Sequence, residues 1–141
     1  MLRITIGFIT CWALIGLVGP TANAEKADTV ARNVVEHFMN ALKAQDLNQV
    51  MKTADVPWVH KAGVIQKRPE LKNYFKQLFA ARAFSQTTYE IKELSYIASK
   101  QEYLVRLKVK KGGADELIVM IRYRPGNVKV GGLLEAKKRS G

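Results

Sequence analysis

From Val30 onward the apolar residues return at helical spacing: Val30, Val34, Phe38, Ala41 and Leu42, with Ala31, Val35 and Met39 widening the stripe. The spacing predicts one long amphipathic helix over about Thr29 to Ala44, N-capped by Asp28, with Arg32, Glu36, Asn40 and Lys43 on its solvated face. Asp46 followed three residues later by Gln49 reads as a capping box. Leu47, Val50, Met51 and Ala54 then predict a second, shorter helix, ending at the residue before Pro57 with Asp55 in its final turn. Trp58-Val59-His60 and Gly63-Val64-Ile65-Gln66 are two short extended runs, joined through Lys61-Ala62 into a small hairpin. Pro69 stands where a first helical residue is tolerated, and Leu71, Tyr74, Phe75, Leu78 and Phe79 predict a third helix running to about Ala83.

After Phe84 the period changes from 3.6 to 2, and everything downstream reads as sheet. Tyr89 and Ile91 share one parity while Leu94, Tyr96 and Ala98 have the other, so a bulge near Lys92-Glu93 is needed to keep both groups on one face. Tyr103, Val105, Leu107 and Val109 alternate with Leu104, Arg106, Lys108 and Lys110. Leu117, Val119, Ile121 and Tyr123 alternate with Ile118, Met120, Arg122 and Arg124. Lys111-Gly112-Gly113-Ala114 and Pro125-Gly126-Asn127 supply turns, and Val128 to Leu134 forms the last strand.

The amino end has a different pattern. Arg3 precedes an apolar stretch from Ile4 to Val18, then Gly19-Pro20 and the small-x-small triplet Ala22-Asn23-Ala24. This is the three-part layout of a secretory signal peptide; the stretch is shorter than the roughly twenty residues that cross a bilayer. Cleavage near Ala24 would give a secreted or periplasmic protein and would remove Arg3 and Cys11, leaving a net charge of +10 from the full chain's +11 and no cysteine. The remaining 25–141 must then be held by its core alone, without a disulfide. Residues 25–135 read as one domain and 136–141 as a short basic tail.

Two helices, a short hairpin, a third helix and four antiparallel strands, the first long and bent, form the element order α-α-β-β-α-β-β-β-β. With Ala41-Leu42-Lys43-Ala44-Gln45-Asp46 closing the first helix, Asp55-Val56-Pro57-Trp58 before the hairpin and Val128-Lys129-Val130-Gly131-Gly132 in the last strand, the chain resembles the nuclear transport factor 2-like superfamily. The resemblance implies an α+β, cystatin-like cone: a curved antiparallel sheet wrapped around helices, with a pocket between the long helix and the concave face. It also implies pairing of two copies. The superfamily hosts isomerases, dehydratases, hydrolases and binding proteins, so it implies no single chemistry.

In the enzymes of that superfamily the working groups project into the cone. The strand face assigned to the interior holds Tyr103, Val105, Leu107, Val109, Leu117, Val119, Ile121, Tyr123, Val128 and Val130, with no carboxylate and no His. A general base must reach the proton it takes. An enzyme of this sequence would therefore draw on Asp55, His60 and Tyr74, with Asp55 orienting His60; otherwise Asp55 terminates a helix and His60 is an ordinary surface or core histidine. His37, at the edge of the first helix's stripe, is a weaker candidate. Trp58, Tyr74, Phe75, Tyr103 and Tyr123, with Phe79 beside them, are either the lining of an apolar ligand pocket or simple core packing. Two readings follow: an exported, non-catalytic domain that holds a hydrophobic small molecule, or a small lyase, isomerase or hydrolase acting on one. Two His without Cys predict no metal centre, and Gly112-Gly113 and Gly131-Gly132 lack the strand-loop-helix context of a phosphate-cradling loop, so no nucleotide or other cofactor is expected.

The positive charge has a predicted location. Arg106, Lys108, Lys110, Arg122, Arg124 and Lys129 all project from the outer face of the strands, with Lys137, Lys138 and Arg139 beyond them. Such a face either keeps an exposed sheet soluble or docks on a polyanion, such as an anionic polymer or membrane surface. No aromatics interleave with these cations, so base-specific nucleic-acid recognition is not expected.

Overall fold

The stripe on the first helix does what its spacing demands: Ala31, Val35, Phe38, Met39 and Leu42 are buried, and Arg32, Glu36, Asn40 and Lys43 are exposed. In the computed structural model, which describes residues 26–111 and 115–137, this helix (α1, residues 26–44) already includes Asp28, which is therefore a helical residue and not the N-cap. The segment through Ala24 that reads as a signal peptide, Gly112-Gly113, which reads as a turn, and Lys138-Arg139 lie outside the described residues. Helix α1 stops where Gln45 turns left-handed (φ 57°) and Asp46 N–H bonds back to Ala41 O at 2.9 Å, a Schellman-type ending.

Asp46 then caps α2 (Leu47–Thr53), accepting the Gln49 N–H at 3.2 Å. The box is half made, because the Gln49 side chain goes to His37 Nε2 at 3.2 Å. Helix α2 also ends earlier than expected. Ala54 opens strand β1 (Ala54–His60), because it pairs with Val130 of the last strand, a tertiary partner that outweighs local helical spacing. Asp55 is thus a strand residue, not a helix terminator. Strand β2 (Gly63–Ile65) returns antiparallel through the two-residue turn Lys61-Ala62, as the spacing predicts. Helix α3 (Arg68–Ala80) carries Pro69 in its first turn and buries Leu71 and Phe75; it ends three residues short of Ala83.

Strands β3 (Thr88–Ile97), β4 (Glu102–Lys111), β5 (Glu116–Arg124) and β6 (Asn127–Lys137) form an antiparallel meander, and the six strands lie in the order β2-β1-β6-β5-β4-β3. The sheet is mixed and not wholly antiparallel, since β1 runs parallel to β6. Close approach there needs Gly132: a Cβ on it would stand 2.8 Å from the Val59 carbonyl oxygen. The bulge near Lys92 is present, with Ile91 opposite Leu107 and Glu93 opposite Arg106. A second bulge lies at Gly131: Ile121 pairs with Val130 but Met120 with Gly132. Strand β6 runs to Lys137, three residues past the Leu134 at which the alternation ends it.

The inner strand face is the expected one, with Tyr103, Val105, Leu107, Leu117, Val119, Ile121 and Val130 buried. Against it pack Phe38, Trp58 and Phe75, all fully buried, with ring centroids 5.1 Å (Trp58–Phe75) to 6.2 Å (Phe38–Phe75) apart in tilted or edge-on geometry. Each such side chain contributes about 1.5–3 kcal/mol of burial free energy. In a domain without disulfides, this cluster fixes where β1 and α3 sit.

Candidate functional site

The second bulge decides what enters the cone. Val128 and Val130 face inward; the extra residue at Gly131 then reverses the parity, so that Leu133 stands opposite Val119 and Glu135 opposite Leu117 on the inner face. The concave side of β6 therefore carries a carboxylate, the exposed Glu135 near the strand's end, contrary to the expectation from uninterrupted alternation. Glycines have no side chain to reveal such a shift, so the sequence pattern passes over it.

Leu133, Leu134 and Glu135 form one wall of a cavity of about 670 Å³. Tyr74 and Leu78 of α3, the following segment through Ala83, Phe84 and Thr87, Val109 and Leu117 of the sheet, and the His60-Lys61-Ala62 turn complete it. This cavity lies between α3, the β1–β2 turn and the sheet, and α1 contributes no residue to its lining. The volume suits a small organic molecule, and most of the lining residues are Ala, Val, Leu or Phe.

Of the aromatic residues assigned to a pocket, only Tyr74 lines this cavity. Trp58 and Phe75 lie in the fully buried cluster behind it, and Tyr103, also buried, makes a tilted contact with Tyr96 and an edge-on contact with Tyr123 at centroid distances of 4.9 and 5.6 Å. Trp58, Phe75, Tyr103 and Tyr123 contribute nothing to the lining of this cavity.

The polar groups at the cavity are more specific. The Ala62 N–H donates to His60 Nδ1 at 3.3 Å, so the lone pair sits on Nδ1 and the neutral ring carries its proton on Nε2. The His60 ring packs on Tyr74 with centroids 5.0 Å apart. Burial pushes the Tyr74 hydroxyl above its ordinary value; the Trp58 indole N–H acts in the opposite sense, and the Glu135 carboxylate adds to the rise. Trp58 Nε1 is itself fully buried without a partner in normal hydrogen-bond geometry, so its effect on Tyr74 is that of a polar contact. Tyr74 consequently remains a protonated donor through the physiological range. His60 and Tyr74 are brought together as candidates, and Glu135 joins them.

Asp55 does not. It forms an ion pair with Arg68 at 3.1 Å, accepts the Val56 N–H at 2.8 Å, and lines a separate crevice of about 210 Å³ with Arg122, Arg124 and Lys129. His37 is exposed and engaged with Gln49. Among the described residues no three His, Cys, Asp or Glu side chains gather as a metal site requires, and no helix is long and apolar enough to cross a membrane.

The outer-face cations divide. At the β4 end, Arg106 Nε lies 4.0 Å from Glu116 and Lys110 Nζ 3.8 Å from Glu90, while Lys108 is exposed. At the β5–β6 end, Arg122 donates to the Pro57 carbonyl and Lys129 Nζ to the Lys52 carbonyl at 2.6 Å, both neutral acceptors.

This architecture is that of a cystatin-like cone. A domain of unknown function with a cystatin-like fold from Nostoc punctiforme superposes with a TM-score of 0.60 at 14% identity, covering 82% of this chain and 79% of that one. A protein of unknown function from Mycobacterium tuberculosis gives 0.61 at 14% identity, over 86% and 77%. A ketosteroid isomerase-like protein from Erwinia carotovora atroseptica gives 0.58 at 15% identity, over 73% and 89%. The chain thus has the fold of the nuclear transport factor 2-like proteins. No protein-family model and no curated protein matches the sequence.

Proposed function

We propose that the chain is exported, that cleavage near Ala24 frees the cone domain, and that the domain binds an apolar small molecule in its cavity without turning it over. The observation that carries this reading is the cavity of about 670 Å³, apolar along α3 and β6, with the donors of Tyr74 and His60 at one place on its wall. Burial of an apolar ligand supplies the affinity, about 25 cal/mol per Å² of area removed from water before the costs of binding, and the donors orient an acceptor oxygen. Export is supported by the Arg3, Ile4–Val18, Ala22-Asn23-Ala24 layout.

Titration with phenylnaphthylamine, a neutral apolar dye, tests the binding step. One dye per chain should bind, and Ala83→Trp, which fills the cavity from an exposed position, should abolish the fluorescence rise; equal binding by the filled variant would overturn the reading. The mass of the protein recovered outside the cytoplasm tests the cleavage step, with a species retaining Met1 as the contrary result.

A second reading has one observation in its favour. Glu135 shares the cavity with His60 and Tyr74, which supplies a carboxylate base and a protonated phenol, the pieces of a proton-transfer isomerase or lyase; the ketosteroid isomerase-like neighbour has the same fold. Turnover of an apolar ketone that is lost in Glu135→Gln while dye binding persists would establish it in place of the first.

A further inference from the structure

On the outer side of the sheet, away from the cone cavity, the β5–β6 turn and the start of β1 enclose the crevice that holds Arg122, Arg124, Lys129, Asn127 and Asp55. Its volume of about 210 Å³ is too small for the ligand proposed for the cone and ample for a single tetrahedral oxyanion. Two facts show that the crevice is built and is not a chance gathering of surface cations. Arg122 is seated: its guanidinium lies over Gly131, where a Cβ would come within 2.7 Å of Cζ, and it donates to the Pro57 carbonyl. The Gly131 bulge that turns Glu135 into the cone is therefore also what makes room for this guanidinium on the opposite face.

Charge around the crevice is unbalanced. Asp55, its one carboxylate, is already held by Arg68 at 3.1 Å. Glu102 stands across the β4–β5 ladder from Arg122. Four cations, Arg68, Arg122, Arg124 and Lys129, thus stand against two carboxylates, Asp55 and Glu102. The two arginines are close enough for Arg124 to push Arg122 below its ordinary value, after the larger effect of burial and against the pull of Glu102 and Asp55. A bound anion would relieve that repulsion. The β4 end of the same face differs, since Glu116 and Glu90 accompany Arg106 and Lys110 there.

We infer that this crevice is a binding site for a phosphate group, with Arg122 and Arg124 as the bidentate guanidinium donors, Lys129 as a point charge and the Asn127 amide as a neutral donor. Planar guanidinium forks match the spacing of phosphate oxygens, and a fork held in advance loses less freedom on binding than a solvated one. The site is independent of the cone cavity and of whether the cone binds or transforms its ligand.

An amide NMR titration of the intact chain with inorganic phosphate at low ionic strength tests this. Shifts should centre on Gly126, Asn127 and Lys129 and weaken with added salt. Arg124→Glu, at an exposed position, should weaken binding by about tenfold or more, the loss of one charge-assisted contact. Gly131→Ala, which displaces the Arg122 guanidinium without altering net charge, should weaken it as well. Arg106→Glu should leave it within about twofold, as expected for an exposed charge screened from the crevice. Vesicles of phosphatidylglycerol against phosphatidylcholine separate the sources: competition by the anionic vesicles assigns a lipid headgroup, and its absence assigns a free phosphate ester. No shift at millimolar phosphate, or an equal loss in Arg106→Glu and Arg124→Glu, would overturn the proposal. Dye binding that stays unchanged in Arg124→Glu distinguishes loss of this site from loss of the cone.

Discussion

The cone cavity and the outer crevice share strand β6 and its Gly131 bulge, yet they are chemical opposites. The cavity is large, mostly apolar and furnished with the polar side chains of Glu135, His60, Tyr74, Lys61 and Thr87. The crevice is small and cationic, and it places Arg122 and Lys129 by donation to backbone carbonyls. The difference shows what one extra residue in a strand can do: it turns Leu133 and Glu135 into the cone and leaves a bare Cα on the far side for Arg122 to cover. Two surfaces with unrelated chemistry are thereby tied to one backbone irregularity.

The largest effect is expected where both regions depend on the same support. Trp58 is fully buried against Phe38, Tyr74 and Phe75 and anchors β1, which borders cavity and crevice alike. Trp58→Ala should lower stability to urea by about 3–5 kcal/mol and impair both sites together. Trp58→Phe keeps an aromatic ring and removes the unpartnered indole N–H, so it should cost much less. A small loss in Trp58→Ala would mean that the two regions do not share this anchor.

Gly131→Ala divides the regions less evenly. The added Cβ must displace the Arg122 guanidinium, the tip of a flexible side chain that can swing away, so the expected stability loss is under about 1 kcal/mol. Urea unfolding measures the loss, and the dye should still bind in the cone.

Tyr74→Phe acts on the cavity alone. It should leave binding of the neutral dye intact and weaken an acceptor-bearing apolar ligand, such as a naphthyl ketone, by about one hydrogen bond, about 0.5–1.5 kcal/mol. The pH dependence gives a second reading of the same hydroxyl. Because burial raises its folded value above 10.0, the folded state keeps the proton longer than the unfolded chain does. That contribution to stability is whole below pH 10 and declines as pH rises above it. Tyr89 is raised in the same direction, first by burial and then by Glu36. The urea midpoint should therefore fall on the alkaline side of pH 10, and less steeply in Tyr74→Phe with Tyr89→Phe.

The smallest effect belongs to the crevice. The Asp55–Arg68 pair is exposed on both sides, so Asp55→Asn should change stability by less than about 1 kcal/mol, yet it should strengthen phosphate binding by removing the one carboxylate that lines the crevice. Weakened binding would place Asp55 among the groups that hold the ligand through a bridging cation or proton.

How much of this was legible in the sequence depends on whether a residue could report its own side. Helices α1 and α3 and the inner face of β4 and β5 were readable because apolar and polar residues alternate at a fixed period. The Lys92 bulge was readable for the same reason, since Ile91 and Leu94 show the change of parity. The Gly131 bulge falls on two glycines, which show nothing, and so Leu133 and Glu135 were missed as cavity residues. The early end of α2 was set by Ala54 meeting Val130, a contact far away in sequence. Alternation sends the six cations to the outer face of their strands. Their division into a β4 group within 4.0 Å of Glu116 and Glu90 and a β5–β6 group whose side chains donate to backbone carbonyls depends on neighbouring strands, on α2 and on β1, which no local pattern reveals.

The separation of an apolar interior site from the outer face is open to one direct measurement, an amide NMR titration with phenylnaphthylamine. Shifts should cluster at His60, Tyr74, Leu78, Leu117 and Glu135 and leave Arg124 and Asn127 unmoved. Shifts centred on Arg124 and Asn127, or no saturable shifts at all, would contradict an internal ligand site.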